Sequence, residues 1–350
     1  MGRWFAVLVC IAVSACAPFP DPVEVPQHGA THAPVVKLDP ETGRKYVEIS
    51  VLIYNVWGLP WPLKANSLDS MQKIGEILGE MRAAGTEPDI VLLQEAFTMK
   101  SQPILELSGY PNIVGGPRRD DPSAKLSKVE APDFIEGRSI WKGEKLGKWL
   151  NSGLAILSNF PIEESSTRPF RQRACAGFDC MSNKGMLLAA IRIPGVPEPI
   201  EIFDTHMNSN DASGVPPERS KVAHNLQADE IQDYLSAEIN DDRRALIAGG
   251  DFNTRGDRGR LEYLTGNDHS PIVRFYCTQS EDRCDIRMSF DGDEPWLDTQ
   301  DLQAFFPGNR IDIRPIAIEA LFDEPVDGKM LSDHDAYLVE YRVTWDPADF

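Results

Sequence analysis

The chain has 350 residues, 42% hydrophobic and 25% charged. That composition supports one large domain or two small ones around a substantial core, and excludes a disulfide-held miniature; no internal repeat is visible. The formal charge is −19, with the acidic excess spread along the chain, so long-range attraction to DNA or RNA is disfavoured. Basic residues gather locally, at Arg118-Arg119 and between Arg138 and Lys148; solvated loops are the simpler reading, and a local basic patch stays open.

At the N-terminus, Arg3 precedes a short apolar run from Trp4 to Val13. The run is too short for a standard membrane-spanning helix and reads as a targeting segment. Val13-Ser14-Ala15-Cys16 resembles a bacterial lipoprotein signal, which implies cleavage before Cys16 and lipid attachment to that cysteine. An ordinary signal peptide cut near Ala15 or Ala17 is the alternative. By the same analogy Ala17 points to the outer membrane, so an exported, membrane-anchored protein at the outer membrane or periplasmic face is expected. Between residues 17 and 40 stand Pro18, Pro20, Pro22, Pro26, Pro34 and Pro40, a density that prevents helix and favours an extended tether. The expected division is a leader over 1–15, a lipidated tether over 16–42 and a folded domain over 43–345. Export permits oxidation, and the short spacings pair Cys175 with Cys180 and Cys277 with Cys284. A zinc site is the weaker reading, since no histidine lies at zinc-site spacing beside either pair.

Tyr46 to Tyr54 alternates as a strand, with Val47, Ile49, Val51 and Ile53 on one face. Asn66 or Ser67 can cap the following helix, whose stripe is Met71, Ile74, Leu78 and Met81 and which Gly85 ends. Asp89 to Gln94 is a buried strand. Residues 111 to 148 are polar and rich in Pro and Gly, and read as a surface excursion with a short helix near Glu144. Strands are expected over 154–157, 186–193, 201–204, 245–249, 311–318 and 336–343, with a helix over 218–239. The stretch 254–310 reads as loop with short helical pieces. Two sheets packed face to face with helices outside would bury these faces, although periodicity alone leaves the topology open.

Five polar clusters stand out, the first four at or just beyond predicted strand ends and the fifth just before the final strand. They are Tyr54-Asn55-Val56-Trp57, Leu93-Gln94-Glu95, Asp204-Thr205-His206-Met207-Asn208, Gly249-Gly250-Asp251-Phe252-Asn253-Thr254 and Leu331-Ser332-Asp333-His334-Asp335. Singly, each could cap a turn or be a satisfied surface histidine. Together they contain carboxylates and amides suited to a hard divalent cation, imidazoles suited to proton transfer, and no nucleophilic triad. Phosphoryl transfer needs both kinds of group, since charge must be offset and a water activated.

These clusters, in this order, resemble the endonuclease/exonuclease/phosphatase superfamily, which includes DNase I-like nucleases, inositol-phosphate 5-phosphatases and neutral sphingomyelinases. The matching segments span about residues 46 to 343. The resemblance implies an α/β fold, a four-layer α/β/β/α sandwich of two mixed or antiparallel sheets with outer helices, and makes residues 43–345 its catalytic domain. It implies magnesium held by Glu95 with Asn55 and Asp333 nearby; manganese, cobalt or another divalent cation are the alternatives. His334 resembles the general base, Asp312 the carboxylate that orients it, and His206 the group stabilising the phosphoryl oxygens. Asp251 resembles the carboxylate handling nucleophile or leaving group, and Asn253 the amide donating to a phosphoryl oxygen.

Ser182-Asn183-Lys184-Gly185-Met186 is similar to a segment of neutral sphingomyelinases, so Lys184 could offset phosphate charge, with Asn183 beside it; a turn with a solvated lysine is the alternative. With the tether and the acidic charge, this points to a phospholipid phosphodiester, sphingomyelin first, releasing its phosphorylated head group. Trp57, Leu59, Pro60, Trp61 and Pro62 could meet lipid or pack in a core. Departures from the sphingomyelinase pattern are Met207-Asn208 after His206, the missing aromatic after Asp312, and the lack of a clear aromatic β-hairpin of the kind that secreted toxins insert into membranes. A secreted nuclease, an inositol-phosphate-type phosphatase and a binding protein on a dead scaffold are the alternatives; nucleic acid is a partner under the nuclease reading alone. No protein partner is implied, and a monomer is expected.

Overall fold

The computed structural model describes residues 32–59, 64, 67–97, 101–238, 244–266, 268–287 and 299–350. The expected leader, Cys16, the first half of the tether, Asn66 and the stretch Pro60–Pro62 lie outside them.

One sheet begins with β1 (Lys37–Leu38) and β2 (Lys45–Asn55). In β2 the alternation is realised on both faces. Val47, Ile49, Val51 and Ile53 point into the space between the sheets, while Leu52 and Tyr54 pack with Met71, Ile74 and Leu78 of α1 (Ser67–Ala84). Gly85 then takes φ +71°, which ends the helix at little steric cost. β3 (Ile90–Gln94) runs parallel to β2, as a strand–helix–strand crossover requires. Next come α2 (Gln102–Leu107), β4 (Asn112–Gly115), α3 (Pro132–Glu136) and β5 (Ala155–Ser158).

The second sheet is built from β6 (Ile162–Pro169), β7 (Gly185–Ile191), β8 (Ile200–His206) and, after α4 (Pro217–Glu238), β9 (Leu246–Asp251). α5 (Arg258–Thr265), α6 (Val273–Cys277) and β10 (Asp285–Arg287) precede β11 (Asp301–Phe306), β12 (Ile311–Leu321) and β13 (Ala336–Trp345). The first sheet has the order β10-β12-β13-β2-β3-β5-β4, with β1 alongside β2; the second has β11-β9-β8-β7-β6. Their inner faces share one apolar core, in which Val51, Ile53 and Leu92 meet Leu187, Ile202 and Ile247. α1 and α2 cover the outer face of the first sheet. α4 and α5 cover that of the second, where Phe203 and Ala248 pack with Ala228, Ile231 and Leu261. The architecture is the four-layer α/β/β/α sandwich.

Five strands go beyond the expectation: β1 and β10, both very short, and β4, β6 and β11. β4 lies within the stretch read as surface excursion, and β11 within the stretch read as loop. β6 is an edge strand whose Glu163, Glu164 and Ser165 face solvent, so it carries little apolar signal. The short helix expected near Glu144 is a 3-10 turn at Ile140–Lys142, and α3 at Pro132–Glu136 adds a second one in the same stretch. Glu144 has another use: its buried carboxylate accepts from Arg219 Nε (2.7 Å) and from the backbone amides of Ser139 (2.6 Å) and Gly177 (3.1 Å). Disulfides join Cys175 to Cys180 and Cys277 to Cys284, each with Cα atoms 5.2 Å apart.

Candidate active site

Strand register assembles the polar residues at one mouth of the sandwich. In the second sheet Asp251, the last residue of β9, pairs with His206 at the end of β8 and with Asp301 at the start of β11. In the first sheet Asn55, the last residue of β2, pairs with Gln94 at the end of β3. The sheets meet through side chains. Asn55 Nδ2 donates to Asp251 Oδ2 at 2.9 Å and to Glu95 Oε1 at 3.3 Å. Gln94 Nε2 donates to Asp204 Oδ1 at 2.7 Å; burial holds the Asp204 carboxyl well above the usual carboxylate range, against the pull of that hydrogen bond.

The chain turns sharply where it leaves these strands. Trp57, Glu95 and Asn253 have φ of +50°, +60° and +52°, a region that costs a non-glycine residue on the order of 1–3 kcal/mol. Local bonds hold two of them: Trp57 N–H donates to Asn55 Oδ1 (3.0 Å) and Asn253 N–H to Asp251 Oδ1 (2.9 Å). Gly250 has φ +136°, and a Cβ there would stand 2.1 Å from the Thr205 carbonyl oxygen. A side chain is therefore excluded where β9 crosses closest to β8.

Two histidines border Asp251. His206 is 2% exposed. Its Nε2 lies 2.9 Å from Lys184 Nζ, 3.4 Å from Asp251 Oδ2 and 4.0 Å from Glu95 Oε1. Lys184 is buried too, paired with Asp179 at 2.7 Å and donating to the Met207 carbonyl at 3.0 Å. Burial, with the charges of Lys184 and His334, holds the His206 imidazole well below its usual range. His206 is therefore neutral, and its Nε2 accepts from the Lys184 ammonium.

His334 sits in the opposite field. Its Nδ1 lies 2.6 Å from Asp301 Oδ2 and its Nε2 3.0 Å from the Gln300 amide nitrogen. Burial alone would keep this imidazole neutral. The carboxylates of Asp301, Asp251 and Asp333 outweigh it and push its pKa up to about 10. Asp251 itself is pushed up to about 7 by burial and by Asp301 beside it. Burial raises Glu95 as well, against the pull of Lys184 and His334. Ser332 fixes the approach of this loop, its hydroxyl donating to the Asn55 carbonyl (2.6 Å) and accepting from His334 N–H (3.2 Å).

The arrangement corrects one expected partner. Asp312 does not orient His334. It pairs in register with Thr344, while His334 stands two residues before β13 begins at Ala336. Eight residues of strand put Asp312 about 25 Å away, half-exposed beside Arg44 at 4.0 Å. Asp301 occupies the orienting position. The only signal for it was the β-prone run Asp301-Leu302-Gln303-Ala304-Phe305-Phe306, buried in a stretch dominated by loop formers. Asp179 and Gln300 were missed for the same reason, since only tertiary contact brings them in. Asn183 is near the site but engaged elsewhere, donating to the carbonyls of Arg118 (2.7 Å) and Asp121 (3.2 Å). Asn253 Nδ2 donates to Met207 O (3.0 Å), and its own carbonyl accepts from the fully buried Arg260 (3.0 Å). Asp333 is exposed at the rim.

The donor set is suited to a hard divalent cation. Ligand atoms of Asp251, Asp301 and His334 lie within 4.8 Å of one another. Glu95 Oε2 and Asp301 Oδ1 are buried with no hydrogen-bond partner among the described residues. Unpaired buried carboxylate oxygens are costly, and a cation would satisfy them. A proton-accepting imidazole held by a carboxylate, a buried ammonium and a cluster of oxygen ligands can together activate water and offset charge at a phosphoryl group.

Comparison with known proteins follows this chemistry. The family model described as Endonuclease/Exonuclease/phosphatase family matches residues 52–313. Among curated relatives, Sphingomyelinase C 2 of Leptospira interrogans is 26% identical over 219 residues, covering 59% of this chain and 30% of the relative. Sphingomyelinase of Mycobacterium tuberculosis is 24% identical over 211 residues, covering 59% and 34%. Inositol phosphosphingolipids phospholipase C of Schizosaccharomyces pombe is 28% identical over 214 residues, covering 60% and 42%. The chain thus spans well under half the length of each. Among solved structures, a beta toxin from Staphylococcus aureus has a TM-score of 0.56 at 18% identity, covering 83% of this chain and 99% of that one. Sphingomyelinase C from Streptomyces griseocarneus has a TM-score of 0.55 at 19% identity, covering 84% and 99%. D. rerio TDP2 complexed with a single-strand DNA product has 0.55 at 14%, covering 84% and 98%. At these identities the structural likeness speaks to the fold.

Proposed function

Since the chain belongs to the Endonuclease/Exonuclease/phosphatase family, we propose that it hydrolyses phosphodiesters with the help of a divalent cation, magnesium first, and that its substrate is a phospholipid of the sphingomyelin type. The observation that carries the chemistry is the convergence of Glu95, Asp251, Asp301, His334 and Lys184 at one mouth of the sandwich. Support for the substrate class comes from the sphingomyelinases among the relatives and from Lys184 at the site. Residues 1–16 are proposed to export the chain and anchor it by lipid on Cys16; failure of labelled palmitate to enter the protein, or its retention in a Cys16→Ser variant, would reject that anchor.

Glu95, Asn55, Asp251 and Asp301 are the residues that would hold the cation, with Asp333 at the rim. When bound, it supplies positive charge that offsets the phosphoryl and leaving oxygens. A cation held there would offset the carboxylates whose field keeps His334 protonated, and would leave its imidazole free to serve as the base. His334 keeps its Nδ1 proton on Asp301 and takes a proton from the attacking water at Nε2. The water oxygen bonds to phosphorus as the bond to the leaving alcohol breaks. The leaving oxygen takes back a proton from solvent, which balances the one passed to His334, since Asp251 is deprotonated when it serves as a ligand. Lys184 places its ammonium near the phosphoryl oxygens, and neutral His206 keeps that ammonium in place.

The test is hydrolysis of sphingomyelin liposomes and of double-stranded DNA side by side, with magnesium and with EDTA. Magnesium-dependent release of phosphocholine with DNA intact is the expected result. DNA cleavage without lipid turnover moves the assignment to a nuclease, and turnover undiminished in EDTA removes the cation.

A further inference from the structure

An exposed aromatic and basic face lies beside the candidate site. The segment Ile140–Trp149 is folded by a tight series of backbone bonds, Gly143 N to Ile140 O, Glu144 N to Ser139 O and Leu146 N to Gly143 O. This rigid turn presents apolar side chains outward. Trp141 is 88% exposed and Trp149 57%, with Ile140 and Leu146 exposed between them. Phe178 joins them from the neighbouring turn: the position a Cβ on Gly143 would take is 3.1 Å from both Phe178 Cδ1 and Met181 Sδ. Exposed apolar side chains of this size gathered in one short, internally hydrogen-bonded segment mark an interaction surface.

Within the segment Ile140–Trp149 the exposed charges have one sign. Lys142 and Lys145 are exposed. Glu144, the one acid in the segment, is withdrawn into the protein by Arg219 and two backbone amides. In a chain of formal charge −19, this outward face is locally cationic. Tryptophan beside lysine is the pairing that suits a bilayer surface, where the indole lies at the head-group level and the ammonium meets phosphate.

The patch is continuous with the site. Trp149 N and Leu150 N both donate to the Met181 carbonyl, Lys148 Nζ donates to the Ser182 carbonyl at 2.6 Å, and Asn183 N donates to Leu150 O. Lys184 is the next residue. A surface gripped here would stand next to the phosphate-binding lysine.

We propose that Trp141 and Trp149, with Lys142 and Lys145, form a docking face for the head-group region of an anionic phospholipid bilayer. The face acts through the folded domain, separately from any lipid on Cys16, and extends the phospholipid reading above.

All described strands and helices lie within residues 32–350, so a chain starting at residue 32 keeps the described fold and lacks the expected leader, Cys16 and the first half of the tether. Its binding is measured by co-flotation with vesicles of phosphatidylcholine and phosphatidylglycerol containing no sphingomyelin. The parent is expected to bind, and Trp141→Ala/Trp149→Ala to bind about tenfold or more weakly. Lys142→Glu/Lys145→Glu is expected to weaken binding several-fold at low salt, with the difference closing at high salt. Both substituted pairs are exposed, and thermal melting checks that the fold is intact. Failure of the parent to float overturns the proposal, as does unchanged flotation of the tryptophan double variant. A parent dimer that the same double variant dissociates, without any vesicle binding, assigns the face to a second copy of the chain instead. Turnover of a water-soluble p-nitrophenyl phosphodiester on the same preparations keeps the two readings apart: its absence in the parent strikes the hydrolase reading and leaves the flotation result to decide the surface.

Discussion

His206 and His334 border the same carboxylate, Asp251, and neither is freely exposed to solvent, yet their surroundings drive them in opposite directions. His206 faces the Lys184 ammonium and is held neutral. His334 faces Asp301, Asp251 and Asp333, and without a cation it is held as imidazolium. The residue type is the same and the burial similar. The neighbours supplied by each strand end decide which imidazole can change its protonation state when a cation arrives. On this account His334 is the switchable base, and His206 is a fixed neutral partner for a lysine.

That contrast can be broken most severely at His334 itself. His334→Ala is expected to lower turnover by about 10³-fold or more while leaving the melting temperature near that of the parent. A folded His334→Ala protein with full activity would sink the assignment.

A second comparison sets the two candidate orienting carboxylates against each other. Asp301→Asn is expected to cost about 10²–10³-fold in kcat, because the Nδ1 proton loses its anionic acceptor. Asp312→Asn, at a half-exposed site far along the sheet, is expected to leave kcat unchanged and stability within about 0.5 kcal/mol. The reverse order of effects in paired kinetic runs would restore Asp312.

Lys184→Met tests the other side. It removes the ammonium that Nε2 of His206 accepts from, so turnover should fall by roughly 10–100-fold. The His206 resonance should then titrate at higher pH than in the parent when followed by NMR, since one of the charges opposing its protonation is gone. An unmoved titration would mean that burial alone keeps His206 neutral.

The smallest effect is on stability. Asp251, at about 7 in the fold, and His334, at about 10, both hold protons that the unfolded chain releases at lower pH. Through these two groups the folded state binds more protons than the unfolded one from about pH 4 to 10. Their contribution to stability, without a cation, should fall as pH rises through that window. Magnesium competes with those protons, so the rise in melting temperature it produces should grow from pH 5 to pH 8, by roughly a few degrees. A magnesium effect that shrinks with rising pH would contradict the carboxylate cluster as its site.

Much of the fold was legible because it rests on local periodicity. Alternation in β2 names the residues that enter the inter-sheet core, and the 3.6-residue stripe of α1 names those that cover its other face. Asn55, Glu95, His206, Asp251 and His334 could be picked out because they end or border strongly patterned strands. β6 and β11 were less legible, one because an edge strand needs few apolar residues, the other because it is short and set among loop formers.

The sequence by itself determined the layered class and the inventory of acids, amides and imidazoles at the strand ends. What only the tertiary structure decided is which of them meet. Asp301 reaches His334, and Asp312 does not, because the antiparallel register of β12 on β13 sends Asp312 to the far end of the sheet, whereas the register of β11 on β9 brings Asp301 beside Asp251. The opposite fields at His206 and His334 arise the same way. A pKa depends on charges a few ångströms away, and Lys184 and Asp301 are placed by pairings between strands, which no local pattern records.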